Sequence, residues 1–351
     1  VTKTESFKLP PGIPVPHTGV VLRIAQPREW MTWDRGKLLK LRNALKKLVS
    51  PFPDNRSACA IHLVSERDRV TDGRITENTP ASAGRIVNGQ IENDILDALQ
   101  GRTTSLEAII ASGNMLEVTL IDRGTLIHRT AEDISTEFPG IIDAGLRVSL
   151  YYLIRAAKSI FTRRMGIMPV KFGSLMLLRN GFLVYPVGEE TNDYWGINRR
   201  KQQGHSRYLG SRDLLGFVSV KGGEETFRES SSRDKGLIQT ISAIQLTDCV
   251  RHCLMKLEAY VVGITWKDRL DKDYETAARI GTDENRKRLI ELVEVLASSD
   301  TVRVLEYNRD LVGILQEKAS NTDDVLMRLK RIADSQDDSA LQHQVQAARR
   351  A

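Results

Sequence analysis

Hydrophobic positions along the chain switch between a two-residue and a 3.6-residue period, and each switch predicts an element. After an extended, proline-rich lead-in over residues 1–18, His17–Ile24 has the character of a strand. Asp34 is placed to cap a helix with Leu38, Leu41, Leu45 and Leu48 on one face, and Ser50-Pro51-Phe52-Pro53 stops it. The apolar run Ala58–Val64 reads as a strand, Arg67–Ala83 as a polar, mobile loop, and Ile91–Leu99 as a helix. Thr104–Ile110, Met115–Ile121 and Thr125–Thr130 read as antiparallel strands, the last two joined by a tight turn at Asp122-Arg123-Gly124. Ile141–Met165 reads as one long helix. Phe172–Leu178 and Phe182–Tyr185 form a hairpin about Arg179-Asn180-Gly181, and a further strand starts at Leu214. A long helix then carries Leu246, Val250, Cys253, Leu257 and Val261 at helical spacing to about Tyr260. From Trp266 onward the pattern turns to charged helix, with narrow apolar stripes after Thr282 and Asn321 that suit packing on a neighbouring domain or a second subunit. The fold class this predicts is α/β (α+β), a mixed sheet packed with helices and followed by a mostly helical C-terminal region.

Composition narrows the classes. Hydrophobic residues are 41% and charged residues 27% of the chain, a globular balance without an apolar run long enough to span a bilayer, so no membrane partner is expected. Three cysteines form no even framework, which points to a reducing cytoplasm. The first residue is Val1 and no signal-peptide pattern follows, so a fragment or processed protein is expected. A net charge of +6 permits contact with a polyanion.

Two stretches carry candidate chemistry. Gly216–Leu237 runs from an apolar strand through Glu224-Glu225 to Ser232-Arg233-Asp234, at the mouth of the long helix. There a guanidinium beside free backbone N–H groups suits a phosphate oxygen, and the plain alternative is a helix cap. Asn198–Arg212 holds Arg199, Arg200, Lys201, Arg207 and Arg212 without an acidic residue. It reads either as a solvated basic loop or as a contact for the phosphates of a nucleotide or a nucleic-acid backbone, with Tyr194, Trp195 and Tyr208 near enough to stack. Cys249, His252 and Cys253 share a helix, but no fourth metal ligand is evident and ordinary packing is the better reading.

The order strand, acidic loop, Ser-Arg-acid triplet and helix resembles the end of the middle domain of the ninety-kilodalton heat-shock chaperones. Gly19-Val20-Val21-Leu22-Arg23-Ile24 and Ser50-Pro51-Phe52 are similar to that family's last ATP-domain strand and its junction with the middle domain. The run of Arg179-Asn180-Gly181-Phe182, Tyr185-Pro186, Gln203-Gly204, Arg207-Tyr208-Leu209-Gly210 and Ser232-Arg233-Asp234 resembles related stand-alone bacterial ATPases, some of them in phage-defence clusters. The likeness covers about residues 19–245. It implies residues 1–25 as the lead-in and last strand of an ATP-binding domain, 26–265 as a transducer domain with a left-handed βαβ crossover, and 266–351 as the helical C-terminal region. It also implies ATP and Mg²⁺ as cofactors, Arg233 as the residue that reaches the γ-phosphate, and nucleotide contacts from Gly19, Ser232, Arg199, Arg200, Lys201, Gln203 and Arg207. The partners it implies are the protein's own N-terminal ATP-binding domain and a second copy in a homodimer, with nucleic acid on the 199–212 run as the other reading. Val20, Ser230 and Leu237 stand where the family has threonine, asparagine and glutamine. The superfamily's magnesium-binding asparagine and its Asp-x-Gly-x-Gly adenine loop are not found, nor is a Gly-x-x-x-x-Gly-Lys loop. The chain alone is therefore expected not to hydrolyse ATP.

Overall fold

The computed structural model describes residues 32–49, 60–78, 85–93, 99, 101–111, 114–165, 167–204, 207–230, 236–263, 291–292, 302–307, 330, 333–334, 342–343 and 345–346. Asp34 caps α1 (Arg35–Leu45), accepting the Lys37 N–H on Oδ1 at 2.8 Å. Where a mobile loop is expected after Arg67, the chain forms a 3-10 turn at 66–68 and then α2 (Arg69–Asn78). The reason is electrostatic. Asp68 and Asp72 are buried and take Arg35 at 3.1 and 2.6 Å, and Asp72 also accepts the backbone N–H groups of Val87 and Asn88. A two-stranded ribbon, β1 (His62–Leu63) with β2 (Gly89–Gln90), lies in this part of the chain. Most of the helix expected over Ile91–Leu99 falls outside the described residues, as do Gly19 and the strand around it.

The main sheet has eight strands. β3 (Thr104–Ile110), β4 (Met115–Asp122) and β5 (Thr125–Asp133) form the expected antiparallel meander, with Arg123 and Gly124 both at positive φ in the β4–β5 turn. β6 (Arg147–Tyr152) pairs with β3, matching Leu150 to Leu106. The long helix expected over Ile141–Met165 is thus three pieces: a 3-10 segment at 139–144, β6, and α3 (Arg155–Met165). A strand buried on both faces shows no alternation, so its continuous apolar run imitates a buried helix. After α4 (Pro169–Phe172) come β7 (Leu175–Arg179) and β8 (Phe182–Leu183), joined by Asn180 and Gly181, both at positive φ. α5 (Ile197–Gln203) leads to β9 (Leu214–Val220), which is buried at every position, antiparallel to β6 and parallel to β7.

α6 (Ile241–Gly263) covers one face of the sheet, setting Leu246, Val250, Cys253 and Leu257 against Leu106, Val118, Leu150 and Val218. α3 and α4 cover the other, with Phe161, Met165 and Phe172 against Tyr151, Met176, Leu215 and Phe217. The result is a mixed sheet packed between helices, an α+β fold. The C-terminal region expected to be helical also supplies a strand. β10 (Val302–Tyr307) pairs antiparallel with β5 and completes the sheet order β10-β5-β4-β3-β6-β9-β7-β8. Its apolar positions Val302, Val304 and Leu305 form a short segment between charged stretches. The stripes after Thr282 and Asn321 lie largely outside the described residues. Among the described residues no helix is long and apolar enough to cross a membrane.

Candidate functional site

Beyond β9 the backbone is clamped from two sides. The Asn180 side chain exchanges hydrogen bonds with Gly222 at 2.9 and 3.1 Å, and Arg179 donates to the Phe227 carbonyl and pairs with Glu224 at 2.9 Å. Glu229 then bridges Leu237 in antiparallel fashion. The Ser230 N–H donates to Gly236 O, and the Ile238 N–H to Arg228 O, each at 2.8 Å. Residues 228–230 and 236–238 are thus two sides of a narrow ribbon, with buried Leu237 as its anchor. Ser232 and Arg233 belong to 231–235, which lie outside the described residues; the residues that flank them in the chain, Ser230 and Gly236, are bonded to each other. The helix α6 begins at Ile241 and is capped by Thr240, whose hydroxyl accepts the Ala243 N–H at 3.1 Å and donates to Thr226 O at 2.7 Å. In the chain, a left-handed Gly236 (φ +67°) and the second side of the ribbon come before this cap.

A cleft of about 740 Å³ opens beside this ribbon. Ser230, Leu237 and Ile238 form one wall, α6 forms another with Ala243, Thr247, Asp248 and Arg251, and Tyr194 and Arg199 close a third side. Arg251 donates Nε to the Trp195 carbonyl at 3.1 Å and Nη1 to Asp248 at 3.2 Å. Trp195 is itself buried, donating its indole N–H to Leu175 O at 2.8 Å, and Tyr194 stands edge-on to it. Burial raises the Tyr194 phenol above its ordinary value against a hydrogen bond with Thr247. Gly196 adopts φ +68°, and a Cβ there would lie 3.2 Å from Arg251 Nη2 and 3.4 Å from Arg199 Nη2, so the two guanidiniums crowd one point.

The basic run is divided by its surroundings rather than forming a free loop. Arg200 reaches Glu258 on α6 at 2.9 Å and lies over the Tyr208 ring at 4.5 Å. Burial pushes the Glu258 carboxyl above the usual range, although the Leu209 N–H and Arg200 oppose it. Lys201 reaches Asp213 at 2.5 Å. Burial acts to raise Asp213, but Lys201, the Gly210 N–H and Lys158 outweigh it and hold the carboxyl low. Arg200 and Lys201 are thus paired within the molecule, not offered outward. Arg199, Arg207 and Arg212 are exposed and have no charged partner among the described residues, and Gln203 is exposed beside them. Arg207 lines a shallower cleft of about 370 Å³ with Tyr208, Met255 and Glu258, away from the first. Arg251 was not evident as a site residue from the sequence, where polar Thr247 and Asp248, four and three residues before it on an apolar helix, were its one signal.

A second group of titratable side chains lies farther along α6, against β5 and β4. Glu132 accepts from His252 at 2.8 Å and Lys256 at 3.1 Å, and these outweigh its burial and hold its carboxyl below the ordinary range. His128 is buried with Nδ1 unpartnered, and burial followed by the nearby Lys256 charge lowers its pKa to about 4. Tyr260 donates to Asp122 at 3.2 Å. Cys249 and Cys253 are buried free thiols, and the hydrogen bond to Cys253 together with burial pushes the Cys249 thiol up. Among the described residues no three His, Cys, Asp or Glu side chains gather as a metal site. Compared with known proteins, the chain matches no family model and no curated protein.

Proposed function

We propose that this chain is the transducer part of an ATPase resembling the ninety-kilodalton heat-shock chaperones, and that it presents Arg233 to the γ-phosphate of ATP. The observation that carries this reading is the pinned ribbon. It bonds Ser230 to Gly236, the two residues that flank 231–235 in the chain, beside a cleft of about 740 Å³ that Ser230 lines, beyond the C-terminal end of β9 where β9 runs parallel to β7. Ligands of open sheets with parallel strands gather at such strand ends. A guanidinium already in place can meet negative charge developing on a transferred phosphoryl group without reorganising.

The cleft's guanidiniums, hydroxyls and the Gln239 amide suit phosphate oxygens, whereas no carboxylate cluster suited to Mg²⁺ accompanies them among the described residues. Metal and adenine contacts are therefore assigned to an ATP-binding domain, whose closure on the transducer would depend on the nucleotide. A homodimer, a cytoplasmic location and a role in phage defence belong to the same proposal. The buried, unjoined thiols of Cys249 and Cys253 favour the cytoplasm. The other reading, nucleic-acid binding through 199–212, retains Arg199, Arg207 and Arg212 but not the paired Arg200 and Lys201.

The test is ATP turnover by the intact gene product beside its Arg233→Ala variant. A loss of about 10³-fold with nucleotide binding retained is expected, the scale on which a missing arginine finger acts. Unchanged turnover would overturn the γ-phosphate role. Affinity for duplex DNA or RNA that falls steeply with salt would favour the basic-module reading instead.

A further inference from the structure

Arg251 Nη2 and Arg199 Nη2 lie 3.2 and 3.4 Å from the point where a Cβ on Gly196 would stand, which brings two positive charges together, and among the described residues no acid pairs with Arg199. Like charges at this range repel, and folded proteins normally relieve such a pair with a carboxylate. The acids at hand are already engaged. Asp248 takes Nη1 of Arg251, and the Asp193 carboxylate accepts the backbone N–H groups of Asn198 and Arg199, each at 3.0 Å. Arg251 Nε is held by the Trp195 carbonyl, which leaves Nη2 as the edge turned toward Arg199. The Arg199 side chain has no partner among the described residues. Two guanidinium edges therefore face one cleft, an arrangement that suits the several oxygens of a phosphate better than a single carboxylate.

The arrangement is also built rather than incidental. Arg251 is tied at two points, Trp195 is buried and bonded to Leu175 on β7, and Gly196 supplies the positive φ and the missing Cβ that let both guanidiniums approach. A cleft of about 740 Å³ is in the range that holds a nucleotide-sized molecule. Leu237, Ile238, Ala243 and Ile244 give it an apolar wall, while Ser230, Gln239 and Thr247 add neutral hydrogen-bonding groups.

We propose that this cleft binds the triphosphate of a nucleotide, with Arg199 and Arg251 as its paired cationic contacts. The proposal rests on the ATPase reading for the identity of the anion, but the site itself lies within this chain. It makes Arg251 a phosphate-binding residue on α6, the helix that also carries Glu258, His252, Lys256 and Tyr260 to the rest of the molecule. Phosphate occupancy and the packing of α6 are therefore coupled through one rigid element.

The experiment is isothermal titration of the 351-residue chain with sodium tripolyphosphate and, separately, with ATP, at low and raised salt. Wild-type protein is expected to bind both. Arg199→Ala and Arg251→Gln should each weaken binding about tenfold or more, as loss of a charge-assisted contact does. Arg102→Ala, an exposed cation that does not line the cleft, should leave affinity within about twofold. Because Arg199 is exposed and makes no side-chain bond within the described residues, its variant should fold as wild type even if Arg251→Gln does not.

Absence of binding by either probe overturns the site. So does an equal loss in Arg102→Ala, which would reduce the effect to diffuse charge. Binding of tripolyphosphate with no binding of ATP overturns the nucleotide as ligand. Arg233→Ala, titrated and assayed alongside, separates the two readings. If it loses turnover while the cleft binds nothing, the cleft proposal alone fails. If the cleft binds ATP while Arg233→Ala keeps full turnover, the γ-phosphate reading alone fails.

Discussion

His128 is the side chain on which mild acid should act first. Its folded pKa of about 4 lies below the ordinary 6.5, because burial disfavours the cation and Lys256 opposes it further. The unfolded chain therefore binds this proton before the folded one does. Stability from the neutral ring is complete above about pH 6.5 and is lost as pH falls toward 4, by up to about 3 kcal/mol. Glu258, raised by burial, works in the opposite direction, so the difference between variants is the useful readout. Urea unfolding of wild type and His128→Gln at pH 7.5 and pH 5 should show a shallower pH dependence in the variant; equal slopes would mean that the ring is not held neutral. Such residue-level facts were only partly legible in the sequence. The charge-rich run 199–212 stood out, but its division did not, because Glu258 lies 58 positions from Arg200 along the chain. Arg251 was hidden for the same reason, since the partner that defines it, Gly196, is brought near only by the packing of α6.

At the scale of elements, polar composition misled where buried charge holds the backbone. α2 has an unremarkable polar sequence, yet Asp72 on it accepts from Arg35 and Asn88 side chains at 2.6 Å each and from the Asn88 N–H at 2.8 Å. These bonds keep its carboxyl below the ordinary range although burial alone would raise it. Asp72→Asn removes the charge from this set while keeping its shape, and should destabilise the protein by about 2 kcal/mol, allowing for partial exposure of Arg35. The loss should be largest above the carboxylate range, since protonation in acid removes the same interaction from wild type. Chemical denaturation at pH 7 and pH 3, with exchange of the Val87 and Asn88 amides, measures both; an unchanged midpoint at pH 7 would show that α2 does not depend on this carboxylate. Elements with a clear period were legible: the β3–β5 meander, the Asn180-Gly181 turn, β9 and α6 all lie where their patterns place them. β6 was not, because burial on both faces erases the alternation that marks a strand, and the true start of α6 was obscured by a triplet that resembles a cap.

For the whole molecule, the informative feature is that the sheet closes with a distant segment. β10 joins β5 after a separation of more than 160 residues, counted from Asp133 to Val302, and it places Val304 in a buried position opposite Thr130. No local pattern announces such a pairing, since loop closure over that distance is set by the complete sheet rather than by the six residues themselves. Residues 302–307 are therefore attached to the main sheet through backbone hydrogen bonds, and do not stand apart as the charged composition around them implies. Val304→Asp puts an unpaired carboxylate into that contact and should release β10 at a cost of about 2–4 kcal/mol to the edge of the sheet. The central strands β3, β6 and β9, paired on both sides, should keep their protection, while β5 becomes an edge. Native-state hydrogen exchange distinguishes the outcomes. Faster exchange confined to β5 and β10 is expected. Uniform acceleration across the sheet would mean that β10 belongs to the cooperative core, and unchanged exchange in β5 would mean that the strand does not pair there in solution.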